Sequence, residues 1–189
     1  MELGIQRTNM NEILLTQLQA HKTLKKPLLN LINKQTSETD KNESDSVSRL
    51  DWTQSENFDR EWVKYFMPHF KKTYQTLVDQ LGFDSFVITG MWFQQYQHND
   101  VHEWHTHSDN YTGVYYLEMP NPIQTLIYCN NEIKHLPVSE GDFVIFPSHT
   151  IHKAPINKAK TRKTIISFNV NFKGIQDKLI KKLQEYERR

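Results

Sequence analysis

The chain is 189 residues long and carries 23 Lys and Arg against 22 Asp and Glu, a formal net charge of +1. That balance provides neither a basic footprint for nucleic acid nor a polybasic surface for an anionic membrane, and no apolar run nears the roughly 20 residues that span a bilayer. Cys129 is the only cysteine, which excludes an internal disulfide and fits a reducing, cytoplasmic location. The opening Met-Glu-Leu-Gly-Ile-Gln-Arg lacks the basic and apolar segments of a secretory signal.

A length of this order encloses one core, so a single domain over residues 1–189 is expected. Residues 1–82 read as a helical N-terminal part. Met10, Ile13, Leu14 and Leu18 recur at helical spacing, and Leu28, Leu29, Leu31 and Ile32 follow Pro27, a good first-turn residue. The stretch 34–49 contains almost nothing apolar and reads as a mobile surface loop. A second helical region follows Ser55, a plausible N-cap, with Phe58, Trp62, Tyr65 and Phe66 as its stripe. Pro68 interrupts it, and Phe70, Tyr74, Leu77 and Leu81 carry it to Gly82, a natural C′ residue. These aromatics read as core.

From Phe83 the period changes. Short runs rich in Val, Ile, Phe, Tyr and Trp alternate with turn residues, as in a β-sandwich or barrel. Strands are expected at Ser85–Tyr96, Val101–His107, Gly113–Glu118, Thr125–Cys129, Ile133–Val138, Asp142–Phe146 and Lys163–Phe172. Asn130-Asn131 and Ser139-Glu140-Gly141 supply turns. Residues 83–173 are therefore the β core, and 174–189 a C-terminal helix with Ile175, Leu179, Leu183 and Tyr186 on one face.

The segment His102-Glu103-Trp104-His105-Thr106-His107-Ser108-Asp109 concentrates three of the nine histidines. On a strand, alternate side chains share a face, so Glu103, His105, His107 and Asp109 point one way and His102 and Trp104 the other. Neighbouring imidazoles on one face can bind one metal ion. A solvated polar edge is the bland alternative. A further ligand must come from elsewhere, and His152, beyond the strand Asp142–Phe146 and its Pro-Ser turn, is the candidate ahead of His149.

Arg162 stands ten positions after His152. The even positions of its strand, Thr164, Ile166, Phe168, Val170 and Phe172, read as the buried face. A guanidinium entering a core needs an anion, either a protein carboxylate or a ligand. Arg162 with Thr164 makes a fork plus a hydroxyl, well shaped for a carboxylate.

At these residues the chain resembles the Fe(II)/2-oxoglutarate-dependent oxygenase superfamily. The prolyl-4-hydroxylase-like branch is most similar, together with small oxygenases of bacteriophages and marine bacteria. The resemblance is carried by Trp92-Phe93-Gln94-Gln95-Tyr96, His102 to Asp109, Thr112 to Leu117, Gly141 to His152 and Arg162 to Asn169, and covers about Trp52 to Phe172. It implies an α+β, mainly β fold, a double-stranded β-helix of jelly-roll, cupin-like type with helices at both ends. It implies iron held by a proximal His-X-Asp/Glu and a distal His, here His152. It also implies 2-oxoglutarate held by Arg162, Thr164 and Tyr96. The implied chemistry is O₂-driven decarboxylation of 2-oxoglutarate to succinate, coupled to oxidation of a substrate, either a small molecule or a protein side chain.

The proximal motif departs from the pattern. Measured from Tyr96, the branch spacing selects His105 and His107, giving His-Thr-His. The alternative register, His107-Ser108-Asp109, restores a carboxylate at Asp109 but leaves only Asn110 before the next strand. His107 is a ligand in both. Two other functions fit the same residues: a cupin-like dioxygenase with a three-histidine iron site and no 2-oxoglutarate, and a catalytically inactive β-helix serving as a binding module.

Overall fold

The computed structural model describes residues 6–7, 13–119 and 124–188. Its strands are β1 (Gln6–Arg7), β2 (Leu14–Gln17), β3 (Glu38–Lys41), β4 (Ser46–Leu50), β5 (Phe83–Tyr96), β6 (His102–His105), β7 (Tyr111–Glu118), β8 (Leu126–Cys129), β9 (Glu132–His135), β10 (Asp142–Pro147), β11 (Ile151–Ala154) and β12 (Lys163–Ile175). The helices are α1 (His21–Lys34), α2 (Glu61–Leu81) and α3 (Asp177–Glu187). An eight-stranded sheet runs β1-β2-β10-β7-β12-β5-β4-β3, and a four-stranded sheet runs β6-β11-β8-β9. Together they form the expected mainly β jelly roll.

Side-chain alternation divides the large sheet between two cores. One face meets α1 and α2, where Phe66, Phe70 and Tyr74 pack on Tyr115, Phe143, Ile166 and Phe168. The other face meets the small sheet, where Tyr96, Val114, Tyr116, Phe146 and Ile165 join Ile127 and Ala154. Phe66 stacks on Tyr115 at 5.2 Å, so the aromatic stripe of α2 is core, as its spacing implies. Gly113 makes the close approach possible. A Cβ there would sit 2.4 Å from the Phe168 ring and 2.5 Å from the Val144 carbonyl oxygen.

Several turn and cap readings hold. Gly82 closes α2 with φ +86°. Asn130 and Asn131, both with positive φ, make the two-residue hairpin between β8 and β9.

Other expectations are corrected. Leu14–Gln17 is a strand, not part of a helix, because pairing with β10 captures it. Leu14 goes to the helix-side core and Ile13 and Leu15 to the inter-sheet core. Met10 lies outside the described residues. Pro27 lies inside α1 rather than at its start, and α2 continues through Pro68. The usual cost of an interior proline, about 3 kcal/mol, is outweighed in α2 by the aromatic packing on either side. Ser55 ends a short 3₁₀ turn instead of capping α2, and its carbonyl accepts the Met91 N–H. α3 forms but buries none of its residues.

The polar stretch 34–49 is a hairpin rather than a loop. The Asn42 side-chain oxygen accepts the N–H groups of Ser44 and Asp45 at 2.9 and 2.8 Å, which turns the chain between β3 and β4. β4 then docks on β5, and the Asp100 carboxylate accepts from the Ser46 hydroxyl and the Ser48 N–H. Polar side chains here build the hairpin through one another.

A buried ion pair ties these parts to β5. Asp51 accepts from Arg60, from the Trp62 indole N–H at 2.9 Å and from the Phe93 N–H at 2.8 Å. Arg60 also donates to the Met91 carbonyl at 2.6 Å. Burial holds the Asp51 carboxyl above its usual range despite the guanidinium beside it. Removing one partner strands the other charge. Asp51→Ala is therefore expected to lower unfolding free energy by about 3–5 kcal/mol, read from urea denaturation. A loss below about 1 kcal/mol would show that the pair does not hold the turn.

Candidate metal centre

β6 and β11 are antiparallel neighbours, and their register sets His105 directly opposite His152. His107 lies just beyond β6, where its backbone N–H donates to the Ser148 carbonyl at 2.9 Å. One ligand atom from each of His105, His107 and His152 falls within 4.8 Å of the others, close enough to hold one metal ion.

Two rings are preset for that role. His105 Nδ1 lies 2.6 Å from the Glu103 carbonyl and His152 Nδ1 lies 2.9 Å from the Thr150 carbonyl. A carbonyl oxygen only accepts, so each Nδ1 carries the proton and each Nε2 keeps its lone pair. Burial, reinforced by the neighbouring His105, pulls the pKa of His107 down to about 4. Burial likewise lowers His105 and takes His152 well below the ordinary value. All three imidazoles are neutral near pH 7, the form that binds metal.

A fourth histidine joins them, against the strand alternation. The β6–β11 register shifts between His152 and Ala154, so that three steps along β6 oppose two along β11. This bulge turns His102 to the same side as His105, and the rings stack at 4.0 Å. Ser167 donates to Gln94 at 3.1 Å, and the Gln94 side-chain amide lies 3.2 Å from His102 Nδ1. Neither His102 nor Gln94 stood out as a site residue in the sequence. A bulge leaves no compositional mark.

Asp109 is not in the group. Its carboxylate accepts from Thr89 at 2.8 Å and Asn171 at 3.1 Å, and it sits in the bend that returns the chain to β7. Among the described residues no carboxylate joins the three histidines. His149 is exposed.

The even positions of β12 are buried as expected, and the odd positions are buried too. Even positions face the helices, and the odd positions Ile165 and Ser167 line the histidine site. Arg162 pairs with Glu118 at 2.8 Å and donates to Asn33 of α1 at 3.0 Å. Thr164 donates to the same Glu118 oxygen. The fork and hydroxyl do grip a carboxylate, but it is the protein's own and on the far side of the sheet. The cation on the site's side is Lys163. It is 2% exposed, with Nζ 5.5 and 5.6 Å from the ring centres of Tyr96 and Tyr116. Burial lowers its pKa to about 8. Tyr96 is buried and lines the inner side of the histidine site. Its hydroxyl is buried without a hydrogen-bond partner among the described residues.

The histidines separate two cavities. The inner one, about 30 Å³, lies between the sheets against Tyr96, Thr125 and Ser167. The outer one, about 210 Å³, opens past His102, His105 and His107 towards Trp52, Trp92 and Asp40. Liquid water takes about 30 Å³ per molecule, so the inner cavity admits a larger ligand only when side chains around it move.

No protein-family model and no curated protein sequence matches the chain. Solved structures do. An oxidoreductase of the 2OG-Fe(II) oxygenase family from Burkholderia pseudomallei superposes with a TM-score of 0.63 at 9% identity, covering 80% of each chain. A prolyl hydroxylase from Trichoplax adhaerens, in complex with a hypoxia inducible factor peptide fragment, gives 0.62 at 15% identity over 90% of this chain and 86% of that one. HygX from Streptomyces hygroscopicus, with nickel and 2-oxoglutarate bound, gives 0.62 at 9% over 86% and 84%. The chain therefore has the double-stranded β-helix fold of the 2-oxoglutarate/Fe(II) oxygenases.

Proposed function

We propose that this protein is an Fe(II)- and 2-oxoglutarate-dependent oxygenase that couples decarboxylation of 2-oxoglutarate to oxidation of a substrate. The observation that carries this reading is the neutral trio His105, His107 and His152, with two free Nε2 lone pairs preset by backbone carbonyls, inside this fold. The balance is R–H + 2-oxoglutarate + O₂ giving R–OH + succinate + CO₂. Bound iron would supply open coordination positions for the keto acid and O₂.

The protein's own residues do the rest. His105 and His152 hold their orientation through the Glu103 and Thr150 carbonyls. Lys163, buried beside Tyr96 on the inner side, is assigned to the far carboxylate of 2-oxoglutarate, with the Tyr96 hydroxyl as a second donor. Burial pushes the Tyr96 phenol well up, so it stays protonated. Arg162 and Thr164, which the resemblance implies for this role, are paired with Glu118 instead, which supports giving it to Lys163.

A second reading has specific support. A three-histidine set without a carboxylate, beside an inner cavity of about 30 Å³, suits a dioxygenase that binds its substrate on the metal and uses no keto acid. Anaerobic addition of Fe(II) and 2-oxoglutarate separates the two, since only the first reading gives a visible charge-transfer band. Among the described residues no helix is long and apolar enough to cross a membrane. The unpaired Cys129 thiol fits a reducing compartment such as the cytosol. The peptide bound by the Trichoplax adhaerens hydroxylase keeps a protein side chain among the substrates to be tried.

His105→Ala, His107→Ala and His152→Ala should each lose stoichiometric iron, measured by metal analysis after reconstitution. Asp109→Ala should keep it. Iron loss in Asp109→Ala alone would move the proximal ligand there.

Lys163→Met should weaken 2-oxoglutarate binding by at least about a hundredfold, the scale of a lost charge-assisted contact, while Arg162→Leu leaves it within a few-fold. The reverse pattern would restore Arg162 to the role.

Affinity should also depend on pH. Lys163 must be protonated to hold a carboxylate, and the bound anion raises its pKa above the free value of about 8. Binding should be constant below pH 8 and fall about tenfold per unit above it, until the bound-state pKa is passed. A flat profile to pH 9.5 in the wild type would exclude Lys163.

A further inference from the structure

The outer cavity is the route to the histidines from solvent, and its walls are specific. Trp52 and Trp92 meet edge to face, with ring centres 4.5 Å apart and planes 84° apart. Two indole planes at right angles form a corner, and Trp92 in turn leans over His107 at 5.9 Å. Asp40, on the hairpin built by the polar stretch of the sequence, also lines the cavity. It is the one Asp, Glu, Lys or Arg among the residues around the cavity. Its only hydrogen bond among the described residues is a long one, 3.4 Å, from the Asn42 side chain, and it forms no ion pair.

We propose that this cavity is the substrate pocket and that it selects an alkylammonium group, carried on a small molecule or a side chain. An indole face attracts a cation through its quadrupole, most strongly when the cation is partly desolvated, and a carboxylate on the pocket wall completes the counter-charge. Neither feature favours an anion, and a purely apolar substrate would leave Asp40 desolvated for nothing. A cavity of about 210 Å³ has room for a cation of amino-acid dimensions.

The proposal rests on the keto-acid reading in one respect. Three neutral histidines leave the double charge of Fe(II) uncompensated, which would repel a nearby cation. Dianionic 2-oxoglutarate on the metal removes that repulsion.

The walls are fixed before any ligand arrives. Asp51, beside Trp52, is bonded to the backbone of Phe93, beside Trp92, so one buried carboxylate sets both indoles. The hairpin bearing Asp40 is fastened to β6 by the Asp45 carboxylate, which accepts the Glu103 N–H at 2.7 Å. A pre-formed corner pays little ordering entropy on binding.

The test uses the metal-free full chain and tryptophan fluorescence, with choline as the probe and its uncharged isostere 3,3-dimethylbutan-1-ol as the comparison. Choline should bind saturably and about tenfold more tightly than the alcohol. Asp40→Asn should remove most of that preference, and Trp52→Ala should weaken choline more than the alcohol. Equal affinities in the wild type, no saturation by either probe, or a preference that survives Asp40→Asn would overturn the proposal. Because the titration contains neither iron nor 2-oxoglutarate, its failure counts against the cation pocket only. A selective choline titration with no charge-transfer band would count against the keto-acid reading instead.

Discussion

Everything in this molecule is arranged around β12, a strand buried on both faces from Lys163 to Val170. It pairs with β5 on one side and β7 on the other, so each of its residues belongs to one of two cores. Even positions are clamped by the aromatics of α2 and odd positions line the space between the sheets. A slip of one residue would exchange Ile166 and Phe168 for Ser167 and Asn169 against the helices, and would carry Lys163 out of the interior. The apolar demand of the helix layer therefore fixes which cation is buried between the sheets, beside Tyr96 and Tyr116. Arg162, sent to the other side by the same register, finds Glu118 and becomes part of the joint between sheet and α1.

The histidine cluster shows a second balance, between desolvation and charge. Burying neutral imidazoles is far cheaper than burying a carboxylate, and the site is closed enough to hold His102 and His107 uncharged down to about pH 4. The consequence is a metal centre that would carry its full positive charge until an anion arrives. Under the proposed function, affinity for metal and affinity for the dianionic cosubstrate become mutually reinforcing, since each reduces the electrostatic cost of the other. An arrangement with a carboxylate ligand would lack part of that coupling.

The polar segment that reads as a loop has a structural task. Its side chains satisfy one another and the neighbouring backbone, through Asn42, Asp45, Ser46 and Ser48, and so make a hairpin with almost no hydrophobic core of its own. Of its hydrophobic residues, Val47 and Leu50 enter the inter-sheet core and anchor it. This leaves Asp40 on the wall of the outer cavity that Trp52 and Trp92 also line. The buried Asp51–Arg60 pair does the corresponding work on the other wall.

By itself the sequence determined a β-sandwich or barrel, which the family resemblance narrowed to a jelly roll, with most of the strands and turns of residues 83–173, the aromatic face of α2, and His105, His107 and His152 as the cluster worth finding. These are legible because they rest on local signals: two-residue alternation, β-branched and aromatic runs, Asn-Asn and Gly at turns, and histidines concentrated on one short strand. Only the tertiary structure decided three further matters. It turned residues 14–17 into a strand held between β1 and β10, because pairing with β10 outweighs a helical spacing that a few apolar residues satisfy equally well. It brought His102 into the site through a bulge, which shifts register without changing composition. It also sent Arg162 to Glu118 and Lys163 to Tyr96 and Tyr116, which the sequence could not show because a strand buried on both faces has no contrast between its sides. In such a strand the hydrophobic pattern marks burial, and only the partner packed on each face tells which core a residue enters.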